Sequence, residues 1–219
     1  MNVLWQSLPS SAFKQGLYGP ALTVGDARRH GDFGVGEYEL LDGEVTGVDG
    51  AFFRQTAEGK LLPLADHERL CFASVTRFRP IGRLDLAGPQ TETTVQPLFL
   101  EAFKTSNTIF AMRIDGFFES VTATAIPRQA CPCLTFDKVG HTPFSFSQLD
   151  GTLVAFYTPA YLAQTAIGGF HFHFLAADRT GGGHVTGFTL RQGVAQWQRI
   201  ETFALHLPRS EAFDNAHIA

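Results

Sequence analysis

Three histidines have the residue type and spacing to do chemistry together. His171-Phe172-His173 lies in an apolar run of strand character. On a strand, residues two apart share a face about 6.6 Å from one another, which suits two imidazoles converging on one ion. The run then meets Asp178-Arg179-Thr180-Gly181-Gly182-Gly183, residues that reverse a chain, and His184 follows at once. A hairpin closed there brings His184 back alongside His173. Three neutral nitrogen donors and one open position describe a catalytic zinc site, not a structural one closed by protein. A lone strand histidine usually packs or faces solvent; two on one face with a third across a glycine turn point to metal. His30, His67, His141, His206 and His217 show no such pattern.

The thiols suggest less. Cys131-Pro132-Cys133 is one residue short of a Cys-x-x-Cys site, and Cys71 cannot complete a second pair. Three reduced thiols in a cytoplasmic protein are the expectation, and Met1 to Leu8 shows neither the basic nor the apolar stretch of a secretory signal.

Elements able to hold the histidines follow from the wider pattern. With 44% hydrophobic and 17% charged residues, the 219-residue chain can bury a real core. A net charge of -4 gives no basic field for nucleic acid or an anionic membrane, and no apolar run is long enough to span one. A small-molecule substrate is the expected partner. A homodimer is a further expectation, because exposed sheet edges are commonly paired.

Asp42-Gly43, Asp49-Gly50 and Glu58-Gly59 mark the hairpins of a meander between Gly36 and Leu64. Asp115-Gly116 reads as another turn, between strands over Thr108–Asp115 and Phe117–Ile126. Further strands are predicted at Thr152–Tyr157, Gly169–Ala176, His184–Arg191 and Ala195–Leu207. Helical pattern is scarcer. Ser10 or Ser11 caps a short helix to Gly16, and Thr93 or Thr94 caps one in which Pro97 fits only the first turn. One or two turns are expected at Gly25–His30 and Pro159–Ala166. The class is α+β, mostly antiparallel sheet with a few short helices. It forms one unit over residues 1–219, with two intimately packed lobes of approximately 1–140 and 141–219 and a boundary near Lys138–Asp150.

Motifs along the whole chain resemble those of the bacterial acetolactate decarboxylases. They comprise Asn2-Val3-Leu4-Trp5-Gln6, Gly31-Asp32-Phe33-Gly34-Val35-Gly36 and Leu41-Asp42-Gly43-Glu44, then Arg113-Ile114-Asp115-Gly116 and Ile126-Pro127-Arg128-Gln129. Gly151-Thr152, Tyr157-Thr158-Pro159-Ala160-Tyr161, Gly169-Phe170-His171-Phe172-His173-Phe174 and Gly182-Gly183-His184 complete the set. The resemblance implies zinc held by His171, His173 and His184. It also implies decarboxylation of 2-acetolactate, a 2-hydroxy-3-oxo acid, to acetoin through a metal-stabilised enediolate. Glu44 is the matching acid/base. From residue pattern alone, Glu44 is a solvated glutamate beside a tight turn.

Three departures bear on the substrate. Where the family has an arginine before the proline of its Ile-Pro-x-Gln motif, this chain has Thr124. Arg128 lies four residues along, about 13 Å on a strand. Where the family has a threonine after Gly-x-Gly, this chain has Glu37, a second candidate acid. The family's tail glutamate has no counterpart, since no carboxylate side chain follows Asp214 up to Ala219. Thr124 and Arg128 are the candidate substrate-binding residues, Glu37 and Glu44 the catalytic ones. The altered charge predicts poor handling of acetolactate unless another arginine such as Arg113 turns inward. It leaves open a zinc lyase, isomerase or cyclase acting on a different hydroxy-ketone in a specialised pathway, a zinc ester hydrolase, or a protein that kept only the fold.

Overall fold

Glycine turns divide most of the chain into short strands. The computed structural model describes residues 1–131 and 133–218; Pro132 and Ala219, part of the readings above, lie outside them. In chain order the elements are β1 (Val3–Ser7), α1 (Ser10–Lys14), β2 (Leu22–Thr23), α2 (Val24–His30), β3 (Phe33–Tyr38), β4 (Glu44–Val48), β5 (Ala51–Gln55), β6 (Leu61–Pro63) and β7 (Arg69–Thr76). There follow β8 (Gly82–Thr91), α3 (Glu92–Phe103), β9 (Phe110–Ala125), β10 (Thr142–Thr158), β11 (Gly169–Ala176), β12 (Gly182–Arg199), β13 (Thr202–His206) and α4 (Glu211–Asp214). No helix among the described residues is long and apolar enough to cross a membrane.

One sheet runs β13-β1-β7-β3-β4-β5-β6, with β2 also paired to β7, and the other runs β11-β10-β9-β12-β8. All pairings are antiparallel except β1 with β13. The three expected hairpins join β3 to β4, β4 to β5 and β5 to β6. At the second, Asp49 and Gly50 both take positive φ, 53° and 80°, the requirement of a tight hairpin turn. The expected α+β class, mostly antiparallel, is what the chain forms.

Four expectations need correction. Asp115-Gly116 is no turn: β9 runs straight through it. A Cβ on Gly116 would lie 2.4 Å from the carbonyl oxygen of Gln192, so this glycine serves close strand approach, and Asp115 is spent pairing with Arg113. The strand expected over Ala195–Leu207 is split, because the chain leaves the second sheet at Ile200 and enters the first as β13. Helix α3 starts at Glu92, capped by Thr91, so Pro97 falls in its second turn; both Pro97 and Thr93 are exposed there, and water can satisfy the carbonyl that proline cannot. Finally, the sheets divide the chain elsewhere than near residue 140. The second sheet takes residues 82–199 and the first takes the flanking segments, so Lys138–Asp150 lies between the paired strands β9 and β10.

Period-two alternation builds the core and aims the histidines. On β10, Leu153 and Ala155 pack toward α3, while Val154 and Phe156 pack toward the first sheet. On β11, Phe172 and Phe174 join the α3 side and Leu175 the inter-sheet side. His171 and His173 share the face of Leu175, so they point into the gap between sheets. Burying each phenylalanine contributes roughly 1.5–3 kcal/mol, which fixes the face of β11: a one-residue slip would put both phenylalanines in the gap.

Gly183 lets β12 enter this arrangement. Its φ is 124°, and a Cβ there would sit 2.7 Å from the carbonyl oxygen of Thr124. Gly183→Ala is therefore expected to destabilise the fold by about 1–3 kcal/mol in urea unfolding. Unchanged stability would mean that the strand start relaxes freely.

Candidate active site

His173 and His184 are directly opposed across β11 and β12. The hairpin expected from the glycine run places them so, and His171 lies two residues along the same face. Ring centroids are 4.9 Å apart for His171–His173 and His171–His184, and 5.6 Å for His173–His184. The nearest nitrogens, Nε2 of His171 and Nδ1 of His184, are 3.0 Å apart. Two nitrogens on one tetrahedral zinc would be about 3.3 Å apart, given bonds of about 2.0–2.1 Å.

The first sheet supplies the other wall. Glu44 opens β4 and is directly opposite Glu37 on β3. Both are buried, at 2% and 7% exposure. Glu44 Oε2 lies 3.5 Å from His173 Nε2. Thr46, two residues further along β4, has its hydroxyl 3.3 Å from His173 Nδ1. That contact orients the ring and leaves Nε2 aimed at the gap, as outer partners of ligating histidines do. Ligand atoms of His171, His173 and His184 all lie within 4.8 Å of one another, as do those of Glu37, Glu44 and His173.

Three buried polar atoms here lack a hydrogen-bond partner among the described residues: Glu37 Oε2, Glu44 Oε2 and His173 Nε2. Leaving such atoms unpaired costs about 1–3 kcal/mol each, more when charged. The three imidazoles form one donor group able to meet on a divalent cation, with Glu37 and Glu44 gathered beside His173, so the residues present fit a metal. Burial, the nearby charge of Glu44 and contact with its carboxyl hold Glu37 well above the usual carboxylate range. Glu44 is pushed up to about 7 by burial, although its contact with Glu37 works the other way. Burial and mutual proximity push His171 and His173 well below the usual imidazole value, and burial takes His184 down to about 4. All three rings are thus neutral at pH 7, the form that binds metal.

These groups open onto a cavity of about 160 Å³. Phe13, Phe72, Phe136 and Ile167 form its apolar walls, and Lys14 and His141 also line it. Thr124 pairs with His184 across β9 and β12, yet the cavity lining does not include it. Arg128 is 56% exposed and lies 3.7 Å from Asp42, outside the lining. Arg113 is held by Asp49 and Asp115 and does not turn inward. Glu37, by contrast, lines the cavity beside Glu44 and His173. Thr46 was legible as a same-face neighbour of Glu44 but was missed. Lys14 and Phe13 come from a helix far away in sequence, and no local signal marks them.

The alpha-acetolactate decarboxylase family profile matches residues 4–219. Alpha-acetolactate decarboxylases from Methylococcus capsulatus and Klebsiella aerogenes are 32% and 31% identical, each over 99% of this chain and 84% of the relative. The crystal structure of alpha-acetolactate decarboxylase from Bacillus subtilis strain 168 superposes with a TM-score of 0.95 at 29% identity, over 99% of this chain and 93% of that one.

The facing carboxyls make a prediction with a definite sign. Glu37 has a raised pKa in the fold, so its stabilising proton is present in acid and lost as pH rises through the folded value. In chelator-treated protein, Glu37→Gln is expected to raise the melting temperature more at pH 8 than at pH 5. An equal effect at both pH values would place Glu37 in a solvated setting.

Proposed function

Since the chain belongs to the alpha-acetolactate decarboxylase family, we propose that it removes carbon dioxide from a 2-hydroxy-3-oxo acid. The substrate is 2-acetolactate by default, the product acetoin, and zinc the metal at His171, His173 and His184. The reading rests on one observation above all: three converging imidazoles beside a buried, unpartnered Glu44 in an apolar cavity.

His171, His173 and His184 would hold a zinc ion, which would supply Lewis-acid stabilisation of developing negative charge. The chain's own residues do the rest. Thr46 fixes the ring of His173. Phe13, Phe72, Phe136 and Ile167 exclude bulk water, which strengthens every charge interaction inside. Loss of carbon dioxide leaves an electron pair on carbon, and one proton must arrive there. In this reading Glu44 delivers it through its carboxyl from one wall of the cavity, which would select the face protonated; its contact with His173 supports the role. Glu37, opposite Glu44 in register, would hand it the next proton. Substrate contact by Thr124 or Arg128 draws no support from the cavity lining. The apolar walls also favour a second reading, a 2-hydroxy-3-oxo acid with larger alkyl groups, which competition between substrates would reveal.

Zinc-loaded protein incubated with racemic acetolactate is expected to form acetoin, and Glu44→Gln to slow this by about 10²–10⁴-fold. Failure of the wild type to form acetoin would reject the substrate; unchanged turnover and product handedness in Glu44→Gln would reject the acid. Metal analysis is expected to find one zinc per chain, and His173→Ala to lose it. Stoichiometric metal in that variant would dismiss the ligand set.

A further inference from the structure

An anionic substrate entering this cavity meets a charge problem. Its lining includes Glu37 and Glu44, both buried and grouped with His173. Beyond the metal site, a substrate carboxylate needs a cation of its own to settle against. Among the described residues no arginine lines the cavity, and Arg113 is committed to Asp49 and Asp115, Arg54 and Arg128 to Asp42. Burial lowers the pKa of His141, which favours its neutral form. Among the described residues lining the cavity, Lys14 alone is a permanent cation, and it forms no ion pair with another described residue.

Lys14 is also well held. It is the last residue of α1, whose start is tied to the segment before β11: Ser10 N donates to Thr165 O and Ser11 N to Gln164 O, both at 3.0 Å, and Ser10 Oγ to Ala163 O at 2.8 Å. Phe13, its neighbour, packs on Tyr18, Phe72 and Phe136 with centroids 5.1–5.3 Å away. The backbone of Lys14 is thereby fixed while its exposed side chain keeps the freedom to meet a ligand.

We infer that Lys14 holds the carboxylate of the substrate, on the side of the cavity formed by α1, and so directs the hydroxy-ketone end toward the three histidines. The inference rests on the decarboxylase reading for its choice of anion. Lys14 binds a charge that is present before carbon dioxide leaves and gone afterwards, so it acts on capture and orientation. It therefore affects KM more than kcat.

Calorimetric titration of zinc-loaded protein tests this without turnover. The probes are 2,3-dihydroxy-2-methylbutanoate, an anion that lacks the ketone and cannot decarboxylate, and neutral butane-2,3-diol. Lys14→Met is expected to weaken the anion roughly tenfold or more, as for a charge-assisted hydrogen bond, and to leave the diol unchanged. Lys14→Arg restores the anion, and added salt weakens it in the wild type but not in Lys14→Met. Equal anion affinity in wild type and Lys14→Met overturns the inference, as does a wild type that binds no anion. Acetoin formation with Lys14-independent anion binding rejects Lys14 and keeps the decarboxylase; Lys14-dependent binding without acetoin does the reverse.

Discussion

Glu44 and His173 approach to 3.5 Å across the gap between two sheets, both almost fully buried. A carboxylate and an imidazole left dry and unbonded are costly. The sheets must therefore meet in a single register, in which β4 supplies Glu44 and Thr46 to one ring while β11 presents His171 beside it. Hydrophobic packing on the far side of β11 holds that register, since Phe172 and Phe174 sit in the α3 core. The polar site is held in place by the apolar packing of its neighbours.

Two opposed needs meet at β3 and β4. Close antiparallel pairing puts Glu37 directly opposite Glu44, an arrangement in which like charges repel. A proton or a divalent cation relieves it, and either makes the pair chemically useful. The same logic explains why the imidazoles stay neutral: burial removes the water that would stabilise their charged form. The shifted carboxyls and the neutral imidazoles are consequences of one desolvated cluster.

The cavity's walls come from distant segments. Helix α1 contributes Phe13 and Lys14, the first sheet Glu37, Glu44 and Phe72, and the second sheet the histidines. The loop between β9 and β10 adds Phe136 and His141, and the approach to β11 adds Ile167. Motion of either sheet against the other would alter the distances between the carboxyls and the imidazoles, while those within each set stay fixed by strand pairing. Apolar contacts such as Phe33 with Phe156, centroids 6.2 Å apart, hold the two together.

Local pattern determined a good deal on its own. The His-x-His spacing, the glycine turn and His184 needed only strand periodicity to be read as converging ligands, because alternation and hairpin closure are properties of neighbouring residues. The meander of β3 to β6 was legible for the same reason, from its Asp-Gly and Glu-Gly turns. Resemblance to a family brought in Glu44, which its own surroundings would have left at the surface. Tertiary structure decided the rest. Asp115-Gly116 carries the residues of a turn, yet neighbouring strands on both sides of β9 hold it extended. Glu37 comes near His173 only because β3 pairs with β4 against the second sheet. Arg128 and Arg113 had the right charge, but nearby aspartates claimed them, and Lys14 reached the cavity through a helix docked on segments some 150 residues away. Sequence spacing encodes which residues share a face; which faces meet depends on packing between segments that no local pattern relates.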